Sequence, residues 1–101
     1  MTESIKIAET FGAFASNGEQ ANVFRFATIE PLLNQGVPFV MDFEGVTNMT
    51  SSFANGLIAT LVAHSPEKFS ELVRFKECSP AVKQMVIGAI ETGRREAREL
   101  A

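Results

Sequence analysis

Asp42, Gly45, Thr50, Ser51 and Ser52 stand close together in the run Asp42-Phe43-Glu44-Gly45-Val46-Thr47-Asn48-Met49-Thr50-Ser51-Ser52-Phe53. A carboxylate, a glycine turn and three hydroxyls in that order are residue types that can read or carry an anion. If a helix begins at the serines, its first backbone N–H groups lack intrahelical partners and its macrodipole is positive there. Hydroxyl and phosphate oxygens are both favoured at such a place. A serine there is either a cap that closes free N–H groups or an acceptor that can carry phosphate. Capping alone would select Thr-Ser-Ser ahead of a helix, so the residue types by themselves do not separate the two.

The elements that would position these groups can be read from periodicity. Residues 37–43, Val-Pro-Phe-Val-Met-Asp-Phe, are nearly all apolar, as a strand covered on both faces is. Asp42 then lies near the carboxyl end of a central parallel strand, where open α/β sheets tend to place binding sites. Over 52–64, Phe53, Leu57, Ile58, Leu61 and Val62 recur at helical spacing, with Asn55, Ala59, Thr60 and Ala63 toward the other side. Upstream, Ile5-Lys6-Ile7 alternates as a half-exposed strand does, and 12–18 is rich in small residues that suit a turn or a weak second strand. Over 21–35, Phe26, Ile29 and Leu33 share one helical face with Val23 and Leu32 beside it, and Gly36 is a natural stop. Pro31 removes one hydrogen bond from that helix, which predicts a bend or break near Glu30. Ser65-Pro66-Glu67 ends the 52–64 helix and suits a short turn, and Leu72-Val73-Arg74-Phe75-Lys76 alternates as a strand near a sheet edge. Ser79-Pro80 is a clear helix start, serine capping and proline sitting where its missing donor costs nothing. From there Val82, Val86, Ala89 and Ile90 point inward, and the charged tail offers Glu91–Arg95 and Arg95–Glu99 pairs at four-residue spacing. Strands alternating with helices give a small α/β sandwich, a mostly parallel central sheet with flanking helices, in one domain over 1–101.

A strand ending in Asp, a short loop and paired serines at a helix start resemble the signature of the STAS domain, named for sulphate transporters and anti-sigma-factor antagonists. The closest resemblance is to a small bacterial STAS-like family of unknown function, in which Ser-Ser-Phe takes the place of Ser-Ser-Gly. It covers nearly the whole chain, through Gly18-Glu19, Phe24-Arg25, Asp42-Phe43-x-Gly45-Val46, Ser51-Ser52-Phe53 and Ser79-Pro80. The resemblance implies a non-enzymatic regulatory interaction module resembling the antagonists, with Ser52 as phosphoacceptor and a histidine-kinase-like ATPase or an anti-sigma-type regulator as partner. Ser51 is then its neighbour and cap, Asp42 the acid at the strand end, and Thr50 and Phe53 the helix-start residues that shape recognition. Thr50 and Phe53 stand where the antagonists have Asp and Gly, which removes a charge and adds a ring beside the acceptor.

Other chemistries find less support in the chain. His64 is the only histidine, and helix geometry puts it about 18 Å along the axis from Ser52, too far for a nucleophile and its base. It suits a helix end, near the negative pole of the dipole. Asp42, Glu44 and Glu19 could gather around a divalent cation, but solvated loop acids are the commoner outcome, and no cofactor is implied. Arg25 could steady Asp42 or Glu44, or face water. The competing function is a small-ligand domain that holds a nucleotide phosphate or another anion on the same helix N-terminus, although Gly45 has no glycine-rich phosphate loop around it. A homodimer through the 79–100 helix is a third possibility.

Composition sets the outer limits. At 101 residues with 46% hydrophobic content and 21% charged, the chain can bury a single core. Twelve acids against nine bases, a net charge of −3, create no field for phosphate backbones or anionic lipids, so nucleic acid and membrane are not expected partners. The start Met1-Thr2-Glu3-Ser4-Ile5-Lys6 lacks a secretion signal's basic and apolar blocks, and no apolar run reaches the roughly 20 residues that span a bilayer. The expected location is the cytoplasm. Lone Cys78 reads as a buried small residue at a strand end.

Overall fold

The computed structural model describes residues 3–100. β1 (Glu3–Lys6), β3 (Phe39–Asp42) and β5 (Val73–Lys76) form a parallel sheet in the order β1-β3-β5. Glu3 is opposite Phe39 and Phe39 opposite Val73, so the apolar run over 37–43 occupies the central strand as its lack of alternation predicts. β5 is an edge strand, as its alternating charges imply. β2 (Phe14–Ala15) and β4 (Asn48–Met49) pair in parallel as a second, two-stranded ribbon, which realises the weak strand expected within 12–18. The architecture is mixed α/β with helices flanking a parallel sheet, as the alternation of strands and helices along the chain predicts.

After β1 a short helix α1 (Ile7–Phe11) leads into the ribbon. The expected strand reaches only Lys6, and Ile7 opens α1 as a buried core residue. Two longer helices each contain a π turn. The first runs through α2 (Gly18–Phe24), a π turn at Arg25–Ile29 and α3 (Glu30–Asn34). The second runs through α4 (Ser51–Ala54), a π turn at Asn55–Ala59 and α5 (Thr60–His64). Pro31 therefore does not break its helix. The widened turn just before it spans the carbonyl of Ala27, which the proline ring would otherwise meet.

That turn also changes which residues face inward. Ile29 and Leu33 are buried as expected, but Phe26 is 72% exposed and Val23 66%. Both were expected on or beside the inner face. The extra residue in the π turn shifts the helical phase, and Arg25 rather than Phe26 is turned toward the neighbouring helix. The helix ends at Gly36, whose φ of 72° closes it with Val37 N–H on Leu32 O at 2.9 Å and Gly36 N–H on Leu33 O at 3.1 Å.

The second helix is covered on both sides. Phe53, Leu57, Ile58, Leu61 and Val62 are buried as the spacing predicts, and so are Ala59 and Ala63, which a one-faced amphipathic reading places outside. The second cover comes from α2 and from α7 (Pro80–Leu100). Gly93 of α7 permits the close crossing, since a side-chain carbon there would lie 2.6 Å from Val62 Cβ. α7 begins as expected, with Val82 N–H on Ser79 Oγ at 3.3 Å, and buries Val82, Val86 and Ala89 while Ile90 is half-buried. Among the described residues neither Glu91–Arg95 nor Arg95–Glu99 closes as an ion pair. Ser65-Pro66-Glu67 starts a helix, α6 (Pro66–Leu72), rather than a turn, and the buried ring of Phe69 holds it on the core.

Candidate functional site

Thr50, not a serine, caps the second helix. Its backbone is extended (φ −80°, ψ 159°), and its Oγ1 accepts the Phe53 N–H at 3.1 Å. The same hydroxyl donates to Ser16 O at 3.1 Å, and Thr50 N–H bonds Ala15 O at 3.0 Å, so the cap is tied to the β2–β4 ribbon. The cap role expected of Ser51 is thus filled one residue earlier. Threonine suits the place because its β-branched side chain favours the extended backbone that precedes a helix.

Ser51 and Ser52 occupy the first two helical positions, and both are exposed. Among the described residues neither hydroxyl is engaged in a hydrogen bond. They point into different surroundings. Ser51 lines a small recess against α7 with Gln84, Met85 and Gly88. Ser52 opens onto a groove of about 470 Å³ with Gly18, Glu19, Asn22, Asn55, Thr60 and Glu96 along it. Two acids, Glu19 and Glu96, line that groove, while the nearest base, Arg25, lies behind it on Asn22 Oδ1 and Gly56 O and is paired with Glu30.

Phe53 does not shape the surface. Its ring is fully buried, 4.7 Å from the Phe11 ring in an edge-to-face arrangement, and it anchors the helix start instead of presenting it. Asp42 is also removed from the rim. Only 3% exposed, it ends β3, accepts Glu44 N–H at 2.9 Å and faces Lys76 Nζ at 3.7 Å. It holds the turn through Gly45, whose φ of 88° a side chain would strain, and it lines no groove with either serine. The carboxylates that share the groove with Ser52 are Glu19 and Glu96. Among the described residues no group of His, Cys, Asp and Glu is arranged to hold a metal ion, so Asp42, Glu44 and Glu19 do not gather.

Arg25 meets neither Asp42 nor Glu44. Its guanidinium donates to Glu30 Oε2 at 2.7 Å, Asn22 Oδ1 at 2.7 Å and Gly56 O at 2.6 Å. The last bond crosses between the two π-containing helices and has a local cause. In the second π turn Thr60 N–H bonds Asn55 O, so the Gly56 carbonyl loses its usual α-helical donor and Arg25 replaces it. Gly56 and Gly18 make that crossing close: a side-chain carbon on Gly56 would stand 2.8 Å from Gly18 O, and one on Gly18 would stand 2.9 Å from Ser52 O and collide with Ser52 Oγ. Sequence reasoning gives Gly18 and Gly56 no role and offers Arg25 a different one. A glycine inside an apolar helical pattern signals a close approach, but the partner of Gly56 lies far along the chain.

His64 is exposed in the last turn of α5, at the far end of the helix from Ser52. Cys78 is half-buried rather than buried, and desolvation pushes its thiol up, so little nucleophilic thiolate forms at neutral pH. Among the described residues no helix is long and apolar enough to cross a membrane.

A family model described as a STAS-like domain of unknown function matches residues 20–83. No curated protein and no solved structure matches the chain.

Proposed function

Since the chain belongs to the STAS-like domain family of unknown function, we propose that it is a non-enzymatic regulatory module that binds a protein partner at the Ser51–Ser52 helix start and is switched by phosphorylation of Ser52. The observation that carries this reading is the division of labour at that start. Thr50 supplies the cap, which leaves two exposed hydroxyls with no structural duty on a helix anchored by Phe53 and Ala54. Resemblance to anti-sigma-factor antagonists suggests a histidine-kinase-like ATPase as the modifying partner and an anti-sigma-type regulator as the bound one, within the cytoplasm.

A macromolecule fits the surroundings better than a small anion. Glu19 and Glu96 flank Ser52, so a free nucleotide phosphate meets like charge. Glu19 also borders a second groove, lined by Phe11, Val23 and Phe24, and Val23, Phe26 and Phe14 are large apolar side chains left in water on α2, its π turn and β2. Apolar side chains beside a polar groove are what a protein partner covers.

The test is a photo-crosslinking residue at Asn55 in the protein expressed in its own host, with phosphosites mapped by mass spectrometry on the same sample. Phosphate on Ser52 is expected, together with one protein adduct that Ser52→Ala keeps and Ser52→Asp loses. Adduct formation that is indifferent to Ser52→Asp overturns the switch. Stabilisation by nucleotides in a thermal-shift screen, with no adduct, favours the small-ligand function instead.

A further inference from the structure

The crossing between the two helices carries a consequence for how a charge on Ser52 is felt, and this step rests on the proposed phosphorylation of that residue. Ser52 packs directly on Gly18, the first residue of α2, with no space for a methyl group between them. A phosphoryl group on Ser52 Oγ has no room on that side, and elsewhere in the groove it approaches Glu19 and Glu96.

The two sides of this contact are unequally anchored. On the Ser52 side, Phe53, Ala54, Leu57 and Ile58 are buried, and the added negative charge suits the N-terminal pole of their own helix. On the other side, α2 buries only Ala21 and leaves Glu19, Gln20, Asn22 and Val23 in water. Its cap is a single exposed bond, Gln20 N–H to Asn17 Oδ1 at 3.0 Å. Beyond the first turns, the bond from Arg25 to Gly56 O fastens the first helix to the second.

We infer that the fold converts phosphorylation of Ser52 into detachment of the first turns of α2, with the Arg25–Gly56 bond as the point about which they open. The side that yields is the one with fewer buried groups. Detachment moves Glu19 and Val23, which border the apolar groove beside Phe11 and Phe24, so the modification reshapes a surface that it does not touch.

The test places phosphoserine at residue 52 during synthesis and follows backbone amide exchange, with phosphoserine at residue 51 as the control. The native occurrence of the modification is thereby separated from its structural effect: this experiment can fail while Ser52 is phosphorylated in the cell, and can succeed if it is not. Amides of residues 21–24 are expected to exchange about tenfold faster or more with phosphate on Ser52, while those of β3 keep their rates. Phosphate on Ser51, which faces α7, leaves α2 unchanged. Glu19→Gln combined with Glu96→Gln reduces the acceleration. Unchanged exchange in α2, equal acceleration from either phosphoserine, or acceleration spread through β3 each overturns the inference. Gly18→Ala supplies an uncharged wedge at the same contact and is expected to open the same amides; if it leaves them protected, the steric part of the argument fails.

Discussion

Residues 18–34 and 51–64 are each a helix with one π turn, opened by a side-chain cap, Asn17 on Gln20 in the first and Thr50 on Phe53 in the second. Local construction is the same and use is opposite. The second helix lies within the common core and against α2 and α7, so even its alanines are covered. The first lies outside it, buries Ala21, Ile29 and Leu33, and leaves Val23 and Phe26 in water. The difference teaches that what a helix packs against decides what it presents: the inner one fixes where Ser51 and Ser52 stand, and the outer one keeps Val23 and Phe26 in water.

The largest effect that could break this comparison sits at one aromatic in each helix. Phe53→Ala should lose about 3–5 kcal/mol in urea denaturation, because a buried ring leaves a cavity. Phe26→Ala should stay within about 0.5 kcal/mol, because its ring is in water. Similar losses at both sites would mean that the outer helix is as much core as the inner one.

The crossing itself comes next. Gly56→Ala forces a side-chain carbon toward Gly18 O and should cost about 2 kcal/mol, with faster exchange of α2 amides as the local signature. Arg25→Met, which leaves Glu30 and the Gly56 carbonyl without their donor in a part-buried place, should cost about 1–3 kcal/mol by the same denaturation measurement. A neutral Arg25→Met would show that the two helices are held by packing alone.

The smallest effect sharpens the reading of the helix start. Thr50→Ala should lose about 1 kcal/mol, since it removes the cap and the tie to Ser16 O. Ser51→Ala and Ser52→Ala should each change stability by less than about 0.5 kcal/mol. A serine variant that matched Thr50→Ala would return the hydroxyls to a capping role.

Much of this architecture is legible in the sequence. Uninterrupted apolarity marked β3 as central, alternation marked β5 as an edge, and Gly36 and Ser79-Pro80 marked helix ends, because each signal acts over a few neighbouring residues. The helix start at Ser51 is legible too, although its cap is Thr50, one residue before the serine expected to fill that role. Phe26 and Val23 depart from the inner face because helical periodicity assumes an unbroken α repeat, and a π turn resets the phase. Pro31 suggested a disturbance near Glu30, yet nothing nearby says that a wider turn rather than a break absorbs it.

The chain by itself determined a parallel α/β domain and two serines at the head of an apolar helix, since propensity, pattern and turn chemistry agree there. Only the tertiary structure decided which acids stand beside Ser52, that Asp42 and Phe53 turn inward, and that Arg25 reaches Gly56. Those outcomes depend on contacts between segments far apart in sequence, where close packing selects partners that no local pattern encodes.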